Sequence, residues 1–448
     1  MRSEQVVGIL MSLTAVSSYL NYRFVKLPKT IGLTIITLVL SFFIAVSGKC
    51  GWDVEEFAAH LLDGIGFHET FLHGTLGFLL FAASLHVNAM ELSKYKTIIV
   101  LLATVSVILS TFMIGFGTYG LTQLLEIPIP LEYCLVFGAL ISPTDPITAL
   151  GILKTANAPK GLEMKIAGEA LFNDGMGIVL FVVLLGLAVG GENKWTISSA
   201  MIFFLRQGIG GVLAGFVMGS LAARLLRTID NSEVAISLTL GMVAGGYAFA
   251  HSVIEVSGPI CMAVAGLSVG NLLHDGNMSR HTLQRLNAFW ELLDDVLNAI
   301  LFVTIGLEFL SLSFRMDTAI ASIGAIIITM MARWLSVMLP VASVSMFRKF
   351  SPNVVLIMTW GGLRGGISIA LALTLPLGPT RDFILVVTYA VVLFSIMVQG
   401  LTLGGLVRRI TKLKSFQEEY PHAKETPVYR LSDLPKHALK DALKDAVE

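Results

Sequence analysis

The sequence predicts an all-α polytopic membrane protein of about thirteen transmembrane helices, two of them broken. Hydrophobic residues make up 55% of the 448 residues and charged residues 14%, with a mean hydropathy of +0.78, more apolar surface than a soluble core can absorb. The apolar residues fall into stretches long enough to cross about 30 Å of hydrocarbon. Two acidic motifs, Thr144-Asp145-Pro146 and Asn173-Asp174, lie inside such stretches.

Taken in order, the stretches are 4–22, 29–48, 70–89, 97–125, 131–153, 163–189, 197–226, 233–251, 257–273, 290–311, 317–346, 353–375 and 382–407. The first is read as a retained helix rather than a cleaved signal peptide, because Met1 to Gln5 carry no net positive charge and basic residues follow it instead. Residues 55–68 read as a short amphipathic or irregular external segment. The fifth stretch holds Pro143 and Pro146 around Thr144 and Asp145, which removes two backbone donors and disfavours helix at the residues before each proline. A break at membrane depth is tolerated only inside protein or along a watery cavity. The twelfth stretch holds Gly361, Gly362, Gly365 and Gly366 around Arg364; these could equally be small residues for helix packing. Paired interrupted helices point to an ion site between inverted repeats, since their ends expose carbonyls and partial charges. Residues 1–407 form the transmembrane domain, and 408–448, rich in Lys, Glu, Asp and His, read as a solvated cytoplasmic tail.

Orientation follows from the basic residues. Eighteen Lys and Arg, from Arg23 to Lys414, fall in the connections after odd-numbered stretches and in the first part of the tail, against five (Arg2, Lys49, Lys194, Arg315 and Arg381) on the other side. The amino terminus is therefore expected outside and the carboxyl terminus in the cytoplasm, in a multi-pass protein of the cell's inner (plasma) membrane. The balance of 31 basic and 31 acidic residues gives no reason to expect nucleic acid as a partner. Cys50, Cys134 and Cys261 are too far apart to suggest a disulfide framework or a zinc site. With neither a His-Glu-x-x-His motif nor a Walker-type loop, an enzyme is not expected, and no cofactor is implied.

A carboxylate near the bilayer centre costs roughly 2.5–3.5 kcal/mol on insertion scales, so it persists where it handles ions or protons. Asp174 can hold a dehydrated cation through its oxygens or a proton, but not both, because either neutralises the charge that attracts the other. If the empty ionised site is too costly to carry across the barrier, the protein changes its facing only when loaded, and a cation is exchanged for H⁺. A passive cation channel is the alternative, with flux and no obligatory proton countermovement. Asn173 cannot carry a proton at neutral pH but can hydrogen bond to Asp145 across the helix break.

Ile141-Ser142-Pro143-Thr144-Asp145-Pro146, Gly168-Glu169-Ala170-Leu171-Phe172-Asn173-Asp174-Gly175 and Trp360-Gly361-Gly362-Leu363-Arg364-Gly365-Gly366 stand in that order along the chain. Together they resemble the sodium/proton antiporters of the monovalent cation/proton antiporter-1 family, of the bacterial and archaeal NhaP type. The resemblance implies an NhaA-like antiporter fold, a homodimer in membrane lipid with interleaved core and dimerisation subdomains, and broken helices five and twelve crossing beside the ion site. It implies Na⁺, or Li⁺, as the exchanged ion, with K⁺/H⁺ exchange as the alternative. Asp174, Asp145, Asn173 and the Thr144 carbonyl would form the ion site, and the Asn-Asp pair resembles the electroneutral, one-for-one exchangers. Glu169 would pair with a buried arginine; Arg333 resembles the family's partner for it, and Arg364, the other intramembrane arginine, would hold the crossing region.

The chain departs from that pattern at two possible ligands. Many relatives have a glutamate after the Leu-Phe pair of span three, where this chain reads Leu80-Phe81-Ala82-Ala83-Ser84, and a serine where it has Ala170. A hard cation usually takes about six oxygens, so water, Thr144 or Ser84 would complete the shell. Asp294 and Asp295 could line an ion funnel or cap a helix. His86, His251 and Glu255 could relay protons or be buried polar groups satisfied by a neighbour. His274 and His281 read as loop residues, and Arg206 has no assigned role.

Overall fold

The structure is a computed structural model, and it describes residues 3–49, 75–87, 89–156, 158–189, 197–273, 278–311, 316–345 and 353–419. Cys50, the segment 55–68, His274 and the tail beyond residue 419 lie outside these. The helices are α1 (Ser3–Leu20), α2 (Lys29–Lys49), α3 (Leu76–Leu85), α4 (Lys96–Leu124), α5 (Leu131–Ile141), α6 (Pro146–Thr155), α7 (Lys160–Val189) and α8 (Ile197–Leu226). They continue with α9 (Ser232–Ser252), α10 (Gly258–Leu273), α11 (Arg280–Glu308), α12 (Met316–Ser345), α13 (Val354–Trp360), α14 (Gly366–Leu373), α15 (Pro379–Phe394) and α16 (Gly400–Glu419).

Helix occupies every one of the thirteen apolar stretches, and no strand occurs among the described residues. Among the described residues seven helical segments, the continuous α15–α16 run counted as one, are each long and apolar enough to cross a membrane, and large apolar side chains on them, such as Phe216, Val217 and Ile323, are exposed. The fifth and twelfth stretches are each divided in two, into α5 with α6 and α13 with α14. α11 begins ten residues before its apolar stretch, because Ser279 Oγ accepts from Thr282 N (3.3 Å) and caps the polar extension. His281 consequently lies in the first turn of a helix, not in a loop. The same end is tied to the α8–α9 connection: Ser279 N and Thr282 Oγ1 donate to Asp230 (3.3 and 2.8 Å), and the hydrogen bonds from Ser279 and Thr282 hold its carboxyl below the usual carboxylate range.

Two packed groups divide the bundle. One gathers α3, α8, α9, α10 and the start of α11 around the fully buried Trp290, whose Nε1 donates to Thr239 Oγ1 (3.1 Å) while Phe78 and Phe81 pack on its ring. The other joins α4, the α5–α6 pair, α7, α12 and the α13–α14 pair. Within it α4 and α5 approach so closely that a Cβ on Gly138 would stand 2.1 Å from the Thr111 carbonyl oxygen. Backbone cannot step aside as a side chain can, so Gly138→Ala is expected to cost about 1–3 kcal/mol as a lowered unfolding midpoint in detergent. Gly241→Ala, whose Cβ would meet nothing within 4 Å, is the control expected to leave the midpoint unchanged or raised.

Candidate functional site

The two helix breaks meet. Asp145 N, in the α5–α6 break, donates to Leu363 O, in the α13–α14 break, at 2.7 Å. Gly365 makes the approach possible, because a Cβ there would lie 3.0 Å from Asp145 Cβ. The break in the twelfth stretch is stabilised by α15 and α16, which join through a π turn at Ser395–Gln399. There Ser395 Oγ accepts from Arg364 N (2.8 Å) and Gln399 Nε2 donates to Trp360 O (3.1 Å), so two backbone groups freed by the break are satisfied.

Each arginine closes the carboxyl end of a half-helix. Arg364, fully enclosed, donates through Nη1 to the carbonyls of Ser142 and of Pro143 (2.9 Å to the latter) at the end of α5. Arg333, on α12, pairs through Nη1 with Glu169 Oε1 and donates through Nη2 to Met358 O in α13 (3.1 Å). The last carbonyls of a helix carry its negative end, and a guanidinium there satisfies both charge and hydrogen bonding. The opposite ends, at the start of α6 and α14, are positive and face the acidic residues.

Asp145 caps α6. It accepts from Thr148 N (3.3 Å) and from Thr148 Oγ1 (2.5 Å), with Pro146 in the first helical turn. It also lines a cavity of about 40 Å³ together with Thr144, Asp174, Asn298, Gly365 and Ser368. A single water needs about 10–15 Å³ on such a measure, so the space holds a small cation with one or two waters. Asp174, on α7, is 2% exposed, and no hydrogen bond to its carboxylate is present among the described residues.

Asn173 bonds to Thr144, not to Asp145 as expected from the sequence. Its Oδ1 accepts from Thr144 N (3.3 Å) and its Nδ2 donates to Thr144 Oγ1 (2.7 Å). Thr148, one turn into α6, already occupies the Asp145 carboxylate, and the nearer polar groups of the break belong to Thr144. Ser84 is also elsewhere: its Oγ donates to Phe81 O (2.9 Å) and packs on α10, where a Cβ on Gly266 would meet it at 2.0 Å. From that helix Leu76, Leu79, Leu80 and Ala83 line the cavity, and Ser84 does not.

Two polar cavity residues were not singled out in the sequence, Asn298 and Ser368. The available signals are spacing alone: Ser368 stands two residues past Gly366, and Asn298 one helical turn past Asp294. Asp294 accepts from Asn298 and Asp295 pairs with Lys29 (2.9 Å). Arg206 gains a partner, since its Nη2 lies 3.1 Å from Glu255 Oε2 and donates to Ile254 O (3.0 Å). His86, His251 and Glu255 are exposed rather than buried. The run Gly266-Leu267-Ser268-Val269-Gly270 has the spacing of a hydrolase nucleophile elbow, but that motif needs a strand-to-helix turn. Here it is uninterrupted helix, with Ser268 Oγ donating to Val264 O (2.8 Å).

The sequence matches the family described as sodium/hydrogen exchanger, transmembrane, over residues 10–409. It is 45% identical over 413 residues to the Na(+)/H(+) antiporter NhaP of Pseudomonas aeruginosa, covering 90% of this chain and 96% of that protein. It is 32% identical over 405 residues to the Na(+)/H(+) antiporter NhaH of Halobacillus dabanensis, again covering 90% and 96%. The fold is similar to the solved structure of the sodium proton antiporter MjNhaP1 from Methanocaldococcus jannaschii at pH 8, with a TM-score of 0.69 at 19% identity over 91% of this chain and 98% of that one.

Proposed function

We propose, proceeding from the fact that this chain belongs to the sodium/hydrogen exchanger family, that it exchanges Na⁺ for H⁺ across the cell membrane, one for one, by competition at Asp174. The names of its relatives support Na⁺ and H⁺ as the ions. The observation that carries the mechanism is Asp174 itself, a buried carboxylate with no hydrogen-bond donor among the described residues, lining a small cavity opposite Asp145. A carboxylate left in that state requires a ligand of its own, and a cation or a proton each supplies one.

With Na⁺ bound, Asp174, Asp145 and the Thr144 carbonyl contribute oxygens, and water completes the shell. With H⁺ bound at Asp174 in place of Na⁺ the site carries the same charge. Asn173 positions Thr144 and carries no proton, so a single carboxylate changes occupancy in each half cycle and no net charge moves. Glu169, Arg333 and Arg364 are assigned to holding the crossing region rather than to binding the ion. We further assign residues 1–407 to the transmembrane domain, with core and dimerisation subdomains interleaved, and 408–448 to a cytoplasmic tail. The working form is a homodimer in the plasma membrane, with its amino terminus outside, as the basic-residue asymmetry supports.

The test is exchange in proteoliposomes carrying a pH-reporting dye. Adding Na⁺ outside, with the membrane potential clamped by K⁺ and valinomycin, is expected to move H⁺ at a rate independent of the clamped potential. A potential-dependent rate overturns the one-for-one stoichiometry, cation flux without H⁺ movement indicates a channel, and a response to K⁺ but not to Na⁺ or Li⁺ overturns the choice of ion.

A further inference from the structure

Beside the cavity that holds Asp145 and Asp174 lies a second one, a vestibule of about 170 Å³ lined by residues including Lys29, Thr148, Asp295, Asn298 and Phe302. Asn298 and Phe302 line both spaces, and Thr148, on the vestibule wall, is the residue bonded to Asp145. The threshold between vestibule and ion site is therefore built from an aromatic ring and one amide. The Lys29 ammonium and the Asp295 carboxylate, 2.9 Å apart and each about half exposed, stand on the vestibule's outer wall.

The orientation of that amide is determined by chemistry. Asn298 is 7% exposed, and one atom of its amide lies 2.9 Å from Asp294 O and 3.0 Å from Asp294 Oδ1. Only a nitrogen can face two acceptors, so Nδ2 is the atom anchored to Asp294. The remaining atom, Oδ1, has no hydrogen-bond donor among the described residues. A cation passing from vestibule to site sheds water at this threshold, and an oxygen there replaces part of the lost shell. Without it the residues shared by the two spaces reduce to Phe302, and the ion gives up part of its water shell there with one oxygen fewer to replace it.

We propose that Asn298 is a cation-positioning residue, whose side-chain oxygen takes the ion from the vestibule and presents it to Asp145 and Asp174; this rests on the exchange reading above. Being neutral, the amide binds the metal ion and not the proton. Its loss therefore acts on the cation half of the competition. This separates it from a residue that merely packs, whose loss would lower the maximal rate without weakening Na⁺ binding.

The experiment is initial-rate exchange in proteoliposomes, varying Na⁺ at fixed pH, for the full chain and for Asn298→Leu and Asn298→Ala. Both variants are expected to raise the half-saturating Na⁺ concentration by about tenfold or more, the cost of one contact to a charged ligand. The pH profile at saturating Na⁺ is expected to stay as in the parent, and Asn298→Gln, which keeps a nitrogen for Asp294 and an oxygen for the ion, is expected to bring half-saturation back towards it. Unchanged half-saturation in the Leu and Ala variants, or a fall in maximal rate alone, overturns the proposal. Should neither variant accumulate folded, Asn298→Cys, which supplies no oxygen, is measured against the same criterion together with Na⁺-dependent thermal stabilisation of the purified protein, and a parental response in both overturns it. If Asp174→Asn is silent while the Asn298 variants behave like the parent, only this inference fails; if the parent itself shows no coupled exchange, the exchange reading fails.

Discussion

Asp174→Asn yields a protein that folds and inserts but exchanges no ions. The substitution keeps volume and hydrogen-bonding capacity while removing the one group that can alternate between Na⁺ and H⁺. Asp174 receives no hydrogen bond among the described residues, so its replacement breaks none there. It also relieves the protein of a buried carboxylate, so the unfolding midpoint in detergent is expected to be unchanged or higher. Reconstituted exchange should fall to the level of empty liposomes. The parent carries the complementary signature: because the two ions compete for one site, half-saturating Na⁺ should rise about tenfold for each pH unit of acidification below the site's midpoint. Exchange surviving in Asp174→Asn, or half-saturation indifferent to pH, would remove the basis of the mechanism.

The second large effect is structural. Arg333→Ala leaves Glu169, 1% exposed, as an uncompensated buried charge and strips Met358 O of its donor. Breaking one side of a buried pair costs about 3–5 kcal/mol, much of it the penalty on the abandoned partner. The expected result is little folded protein and a strongly lowered unfolding midpoint for what accumulates. Glu169→Gln together with Arg333→Met should recover part of the loss, because two neutral groups of similar shape leave no charge stranded. If both single and double variants are as stable as the parent, the pair does not hold the crossing region together. Gly362 belongs to the same arrangement, since a Cβ there would stand 2.5 Å from Arg333 Nε.

The prolines around Asp145 and the glycines around Arg364 announce breaks because their backbone chemistry is local, and helix is interrupted at both places. The partner of Asn173 was not legible. Whether its amide meets Asp145 or Thr144 depends on an orientation across two helices, and the intervening Thr148 bond decides it. Ser84 is misread for a similar reason: a helix turns about 100° per residue, so placing Ala83 at the cavity directs Ser84 to α10. Asp145 serves both as cap of α6 and as cavity wall. Arg206 looked anomalous only because its partner, Glu255, lies 49 residues away in sequence.

By itself, the sequence determined what depends on composition and neighbours in the chain: a polytopic helical protein, where its helices run, where two of them break, and which acids lie at membrane depth. Burial cost is a property of the residue type and of the length of the apolar stretch, and both can be read along one dimension. The tertiary structure alone decided which groups share the cavity. It brought the two breaks within one hydrogen bond, assigned Arg333 to Glu169 and Arg364 to the end of α5, and set Asn298 at the threshold of the ion site. Those outcomes depend on distances of 2–4 Å between residues up to two hundred and more positions apart, and helix packing, not chain order, determines them.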